Sequence, residues 1–446
     1  MLKKGNKKVI QGWVMYDWAN SAYPLVISSA IFPIFYDEVT KNAYATKYGF
    51  NVDNINPNDV TVEFFGVNVS PTVIFSLVLS ASFLVVSFLS PILSGIADYT
   101  GSKKKYLKFF CYTGSIACVS LYWFDANWME LSMISIFVAT ISYWNSLVFY
   151  NSFLPEIADP SEHDQISAKG FSMGYYGSVI LLLICLAMIM GIDAKYTPIS
   201  FILVGIWWSS FSQLTYRVLP DNVHNRKPKL DYIKKGFQEL KMVYNEFLNT
   251  YRLKRYLQAF FFFNTGVQTV MLMAVLFATK AIDWPKDGVK TGLIISILII
   301  QILASIGAFL MAKLSNKIGN IKTLIMSVFL WIFICVAAFI VKKEYEFYIL
   351  AAFVGLVMGG VQAIARSTYS KFLPDTSDHA SYFSFYDVSE KIGIVFGTAF
   401  FALAEYLFDD IKYSVISVAI FFVIGLILLY RVPKKEIEIK DKVFLT

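Results

Sequence analysis

Asp387, Glu390 and Lys391 fall within about one helical turn inside a long apolar stretch of the chain. Asp387 and Lys391 are four residues apart with the acid first, the order that favours an ion pair along a helix, and Glu390 points between the same faces. An ionisable side chain in hydrocarbon costs about 2.5–3.5 kcal/mol even on insertion scales. Three charges in one turn must therefore face a central cavity or neighbouring helices. Two chemistries are open to them. Asp387 or Glu390 can take up and release a proton, with Lys391 as partner or solute anchor, or the three can form a static salt-bridged latch.

Arg366 lies about 9 Å inside the inner end of another apolar run, at 1.5 Å of rise per residue. It stays charged at any relevant pH, so it must be paired or face a wet cavity that accepts an anion. Gln362, one turn deeper, extends its face. Asp17 sits one to two turns inside the first apolar run, with Asn20 and Ser21 continuing a polar face inward. It can serve as a gate or solute-contacting carboxylate, or as an interfacial acid paired with a lysine; Glu405 reads as interfacial. Cys111, Cys118, Cys185 and Cys335 are scattered singly through apolar stretches, and the three histidines fall in polar loops. No metal site, disulfide framework or cofactor is expected from these spacings. Neither a phosphate-binding G-x-x-x-x-G-K-[ST] loop nor an H-E-x-x-H motif occurs, so the chain reads as no enzyme and no ATP motor.

The elements that hold these residues follow from composition. The 446 residues are 57% hydrophobic and 16% charged, with a mean hydropathy of +0.56. That excess of apolar surface needs a bilayer and excludes a soluble enzyme, a nucleic-acid-binding module and a disordered chain. A ruler of about 20 residues per crossing predicts about twelve helices, at 12–36, 70–97, 105–125, 129–153, 168–191, 197–218, 255–280, 291–314, 321–341, 346–372, 381–406 and 412–431. The runs are too long and unbroken for barrel strands. Lys3, Lys4, Lys7 and Lys8 resemble the start of a signal peptide, but the following run is interrupted by Asp17, Pro24 and Pro33 and reads as an uncleaved first span. With an even number of spans, 28 of the 39 Lys and Arg lie on one side and 9 on the other. The bias places both termini in the cytoplasm, and the net charge of +7 becomes a topology signal rather than a call for nucleic acid.

The longest outer loop runs from Asp37 to Val69, with Asn51, Asn54, Asn56, Pro57 and Asn58 at its centre. The longest inner loop, Leu219 to Tyr251, spaces Ile233, Phe237, Leu240, Tyr244 and Phe247 as one face of an amphipathic helix lying on the bundle or the membrane surface. A repeat divides the chain around it. Tyr150-Asn-Ser-Phe-Leu-Pro-Glu156 matches Tyr369-Ser-Lys-Phe-Leu-Pro-Asp375, and Gly174 matches Gly393 at the same offset. Asp98-Tyr-Thr-Gly101 aligns with Asn316-Lys-Ile-Gly319. The expected organisation is a six-helix bundle at 1–218, a cytoplasmic linker at 219–254 and a second bundle at 255–446, with a solute path between the halves. At the repeat offset Asp387, Glu390 and Lys391 map onto Ala168, Phe171 and Ser172. Only one half carries the charges, so the fold itself does not demand them.

Ser94-Gly-Ile-Ala-Asp98-Tyr-Thr-Gly101-Ser-Lys103-Lys104-Lys105 resembles the loop between the second and third spans of the major facilitator superfamily. In it the acid can face the positive end of a neighbouring helix, while the lysines hold the loop in the cytoplasm against anionic headgroups. The second copy has Asn316 for the acid, which predicts a weaker latch. Glu156 and Asp375 are expected as inner-loop caps or latches to nearby bases.

A narrower resemblance spans most of the chain. Tyr16-Asp17-Trp18-Ala19-Asn20-Ser21-Ala22-Tyr23 resembles the opening motif of the vacuolar-effluxer-like major facilitators. The Phe-Leu-Pro-Glu156 segment, Gln362-Ala-Ile-Ala-Arg366-Ser367 and Phe385-Tyr386-Asp387-Val-Ser-Glu390-Lys391 are similar to that family as well. Phe263-Asn264-Thr265-Gly266-Val267-Gln268-Thr269 resembles its seventh span, where the family pattern has an acid at the position of Thr265. The resemblance implies an all-α multi-pass major facilitator fold, in the inner membrane if the chain is bacterial. It implies a secondary effluxer or permease for a small polar solute, amino acids or small peptides among them. Asp17, Asn20, Asn264, Gln268, Gln362, Arg366, Asp387, Glu390 and Lys391 are the expected solute or coupling residues. Protons are the expected coupling ion, sodium staying open, and a monomer the expected state. Two other readings stay open: a lipid or glycoconjugate flippase on the same fold, and a non-transporting receptor or scaffold.

Overall fold

The computed structural model describes residues 4–52, 55, 59–221, 231–285, 288–408 and 410–436. In the first half, α1 (Lys7–Asn20) runs into a π-helical stretch (Tyr23–Ala30) and then α2 (Phe32–Tyr48). A small hairpin, β1 (Val62–Phe64) and β2 (Val67–Val69), precedes α3 (Pro71–Thr100), α4 (Lys103–Ser120), α5 (Met129–Ser152), the single turn α6 (Leu154–Ile157), α7 (His163–Gly191) and α8 (Thr197–Tyr216). A connecting helix, α9 (Tyr232–Asn249), leads to α10 (Tyr251–Ala281), α11 (Val289–Ile318), α12 (Asn320–Ile340), α13 (Glu344–Phe372), α14 (His379–Phe408) and α15 (Ile411–Tyr430). The chain is an all-α multi-pass membrane bundle.

Among the described residues, nine helices are long and apolar enough to cross a bilayer: α3, α5, α7 and α10 to α15. The remaining three crossings fall short for physical reasons. The first carries Asp17 and Asn20 and is broken by Pro24, α4 begins with three lysines, and α8 is rich in Ser, Thr and Gln. They cross as part of the bundle, α8 packing on both α1 and α4. Large apolar side chains such as Phe88, Ile116 and Ile340 remain exposed around the bundle, as a lipid-facing wall requires.

The outer loop differs from expectation. The helix does not stop near Phe35 but continues through α2 to Gly49, whose φ of +68° ends it. Tyr36 and Thr40 are buried, and the Tyr36 hydroxyl donates to the Pro71 carbonyl at 2.8 Å, so packing against α3 extends the helix past its apolar run. Asn54, Asn56, Pro57 and Asn58 lie outside the described residues.

Buried side chains form two large cores. One is built almost wholly from residues 9–219, the other mainly from residues 243–432. Both ends of the chain lie on one side: the Gly5 amide donates to the Ile157 carbonyl, and the Arg252 amide to the Glu436 carboxylate. The linker helix α9 meets the bundle with only part of the expected apolar stripe. Gly236, Val243 and Phe247 are buried, while Ile233, Phe237 and Tyr244 are exposed. The cause is a close backbone approach to α3, since a Cβ on Gly236 would lie 2.5 Å from Ile96 Cγ1. Residues 222–230 of the linker lie outside the described residues.

Candidate functional site

Arg366 on α13 reaches across the bundle to Asp17 on α1. Its Nη1 and Nη2 each donate to Asp17 Oδ2 at 3.2 Å. Nε donates to Ser167 Oγ and Nη2 to the Ser167 carbonyl, both at 2.9 Å. Tyr150 donates to the same Asp17 oxygen at 2.8 Å. The guanidinium plane lies 4.1 Å from the Phe171 ring centre and 4.9 Å from that of Trp13. Asp17 is 5% exposed and Arg366 3%. A buried pair holds only when its remaining donors and acceptors are also satisfied, and Ser167 and Tyr150 do that here. Gly170 makes room: a Cβ there would sit 2.2 Å from Asp17 Oδ2. One turn deeper, Tyr175 on α7 donates to Gln362 Oε1 at 2.7 Å. Both contacts join the first half to the second.

The second cluster lies on α14. Lys391 Nζ is 3.0 Å from Asp387 Oδ1 and 3.2 Å from Glu390 Oε2, and it sits 3.4 Å from the ring centre of Trp144 on α5. Lys391 is fully buried. Gln268 on α10 donates to Glu390 Oε1. Asp387 Oδ2 and Asn264 Nδ2 are buried with no hydrogen-bond partner among the described residues, as is Asn20 Nδ2. Buried polar atoms of this kind call for an explanation, such as a catalytic or transported species that meets them. The cluster thus has one lysine shared by two carboxylates, an amide on the facing helix and an aromatic wall from the opposite half. It can exchange a proton or present both signs of charge to a solute. Among the described residues no group of three or more His, Cys, Asp or Glu is placed to hold a metal.

At the cytoplasmic ends, Asp98 accepts from the backbone amides of Ala380 and Ser381 at 3.2 and 2.7 Å, at the start of α14. Lys103 pairs with Asp98 at 3.3 Å and with Glu156, and Glu156 meets His379 Nδ1 at 3.1 Å. Gly101 turns the chain here at φ +67°. Lys104 donates to the Leu219 carbonyl at 2.6 Å and pairs with Asp221. Lys103 and Lys104 are therefore turned inward and buried, not set against headgroups: Lys103 serves the carboxylates that meet the start of α14, and Lys104 holds the chain that leaves α8.

The second-half counterparts correct the expectation. Asn316 and Asp375 are both exposed. The contact is made instead by Asp164 at the start of α7, which lay outside the expected span. Its Oδ2 takes Ser315 at 2.7 Å and Lys371 at 2.6 Å, and its Oδ1 takes Asn320 at 2.7 Å. Glu405 pairs with Lys280 at 2.6 Å near the outer end of α14. The structure thus brings Asp17 to Arg366, and Asp387, Glu390, Lys391 and Gln268 to one another. The Nδ2 atoms of Asn20 and Asn264 stay without partners among the described residues. Sequence reasoning passed over Asp164, Ser167, Trp144 and Tyr175. Trp144 and Tyr175 carried no periodic or charge signal, whereas Tyr150, in the repeat motif, did.

Comparison with known proteins follows the same lines. A family model described as "Vacuole effluxer Atg22 like" matches residues 5–438. The uncharacterized MFS-type transporter YxiO of Bacillus subtilis (strain 168) is 29% identical, over 98% of this chain and 97% of its own. Autophagy-related protein 22 of Coccidioides immitis (strain RS) is 21% identical, over 88% and 81% of the two chains. Among solved structures, the proton:xylose symporter XylE superposes with a TM-score of 0.71 at 12% identity, over 96% of this chain and 95% of its own. The human organic anion transporter MFSD10 gives 0.69 at 11%, over 96% and 100%. At such identities the two structures speak for the fold, which is that of the major facilitators. The chain belongs to the vacuole effluxer Atg22-like family of major facilitator transporters.

Proposed function

We propose that this transporter moves a small polar solute by alternating access and couples the movement to protons at Asp387 and Glu390. One observation carries the reading: two carboxylates and a fully buried lysine share a site between the halves, at positions whose repeat counterparts Ala168, Phe171 and Ser172 are uncharged. Protonating one carboxylate releases part of the hold on Lys391 and removes a negative charge from a site that must be reshaped as the halves rock. A site with both signs of charge suits a zwitterion, so amino acids and small peptides are the first solutes to test. Asp17 and Arg366 belong to different halves and must separate whenever the cytoplasmic side opens. They act as the inner gate, with Gln362 and Tyr175 above them. Asn20, Asn264 and Gln268 line the path. The protein works as a monomer in a cytoplasmic membrane.

The test is flux in proteoliposomes, after a thermal-shift screen of amino acids, peptides, sugars and organic anions, because a ligand that binds only the folded state raises its stability. An imposed proton gradient is expected to drive accumulation of the ligand found. Asp387→Asn and Glu390→Gln are expected to abolish accumulation while leaving downhill exchange. Unchanged gradient response in both variants overturns the coupling assignment.

A further inference from the structure

Four lysines lie in the first two turns of α4, and internal ion pairs occupy only two of them. Lys103 and Lys104 are buried in ion pairs. Lys105 is exposed, and Lys108 lies 5.5 Å over the Tyr216 ring. Neither has an acidic partner among the described residues. Arg217, directly after Tyr216 at the end of α8, is exposed as well. Lys105, Lys108 and Arg217, with no acidic partner among the described residues, thus mark the cytoplasmic ends of α4 and α8.

Directly above them, a groove of about 560 Å³ separates these two helices on the face turned away from the solute path. Its floor is set by Gly205, where a Cβ would lie 2.5 Å from the Ser115 carbonyl, so the backbones touch there. The groove is layered. Nearest the cations, Gln213 Nε2 donates to the Tyr112 hydroxyl at 3.0 Å, a polar pair on a wall that otherwise faces hydrocarbon. Tyr112 follows Lys108 by four residues, about 6 Å along the helix. Deeper still come Ile116, 70% exposed, and Ile206, 53% exposed.

We propose that this groove binds one anionic phospholipid of the cytoplasmic leaflet. Lys105, Lys108 and Arg217 hold the phosphate, Tyr112 and Gln213 meet the ester carbonyls, and one acyl chain lies along Ile116 and Ile206. The order of charge, polar pair and apolar wall along the groove matches the order of headgroup, ester and chain in the lipid. The lipid would brace the outer side of the first half without entering the solute path.

The test is native mass spectrometry of the purified full chain, titrated with phosphatidylglycerol or phosphatidylcholine. The wild-type protein is expected to retain one phosphatidylglycerol in preference to phosphatidylcholine. A cation near an anionic headgroup layer is worth about fivefold in affinity, so K105Q/K108Q/R217Q is expected to lose at least about tenfold of that preference. K322Q/R431Q, which removes exposed cations from the inner ends of α12 and α15, is expected to leave it intact. Ser209→Phe fills the groove without touching a charge and is expected to expel the lipid. The proposal is overturned if both charge variants lose the preference equally, if neither does, or if Ser209→Phe keeps the lipid. Loss of a dimer on Ser209→Phe with no change in lipid would assign the groove to a second copy and overturn it as well.

Discussion

The two cytoplasmic latches do the same work with different donors. In the first, Asp98 at the end of α3 binds backbone amides at the start of α14. In the second, the end of α11 again meets the start of a helix in the other half, α7, but the acid has crossed the contact. It is Asp164 on α7, and the donors are the side chains of Ser315, Asn320 and Lys371. Both acids therefore belong to the first half, and both sets of cross-half donors to the second. The repeat conserves the meeting of helix ends and does not conserve which end carries the charge. The donors also differ in their freedom. The amides of Ala380 and Ser381 are fixed at a helix start. Ser315 already reaches the Ala312 carbonyl at 2.9 Å, Asn320 reaches Thr368 at 3.0 Å, and the Lys371 side chain is 18% exposed. Without its acid, the second set of donors has other partners.

That difference ranks the consequences of breaking each latch. The readout is alkylation of a cysteine placed at Ala168 in a background lacking the four native cysteines. Ala168 is buried against the second-half core, so it reacts from the cytoplasm only when the halves part. The double variant D98A/D164A is expected to react fastest. The two acids share no partner among the contacts above, so their effects should add. Asp98→Ala alone strands two helix-start amides. At the value of hydrogen bonds to charged groups it should favour the cytoplasm-open state by about 3 kcal/mol, roughly a hundredfold in the ratio of states. Asp164→Ala should cost about half that, near 1.5 kcal/mol, roughly tenfold. Equal rates for the two single variants would break the comparison, and a double variant no faster than D98A would show that one latch alone governs opening.

The sequence shows much of this fold and little of the partnership between distant residues. Apolar run length located the crossing helices α3, α4, α5, α7, α8 and α10 to α15 to within about five residues at each end, because hydrocarbon thickness imposes one length on every crossing. The i,i+4 spacing placed Asp387 and Lys391 on one face, since helical geometry is local. Nothing local joins Asp17 to Arg366, 349 residues apart, or Lys391 to Trp144; those contacts depend on how two halves pack. Asp164 was hidden for a further reason. Alignment of the halves transfers positions, and here the acid moved to the facing helix. Its place at 164 also fell in what read as a polar loop, whereas α7 begins at His163. The side by which α9 meets α3 was not legible in the apolar stripe, because the close contact at Gly236 fixes how the helix sits there.

The smallest expected effect is the most pointed. Asn316→Asp restores the acid that the first-half motif carries at the aligned position. If the repeat dictated the latch residue by residue, this change would add a second acid at the meeting of α7 and α11 and alter Ala168 alkylation. The side chain of residue 316 is exposed, and Ser315 and Asn320 already occupy the contact with Asp164. A new carboxylate there stays in water, so its effect should stay within about 0.5 kcal/mol, the range of an ordinary surface substitution. A larger slowing, especially one that rescues Asp164→Ala, would mean that Asn316 turns inward in the closed state and that both latches follow one design. No change in either background keeps the crossing of the acid as the feature that distinguishes the two.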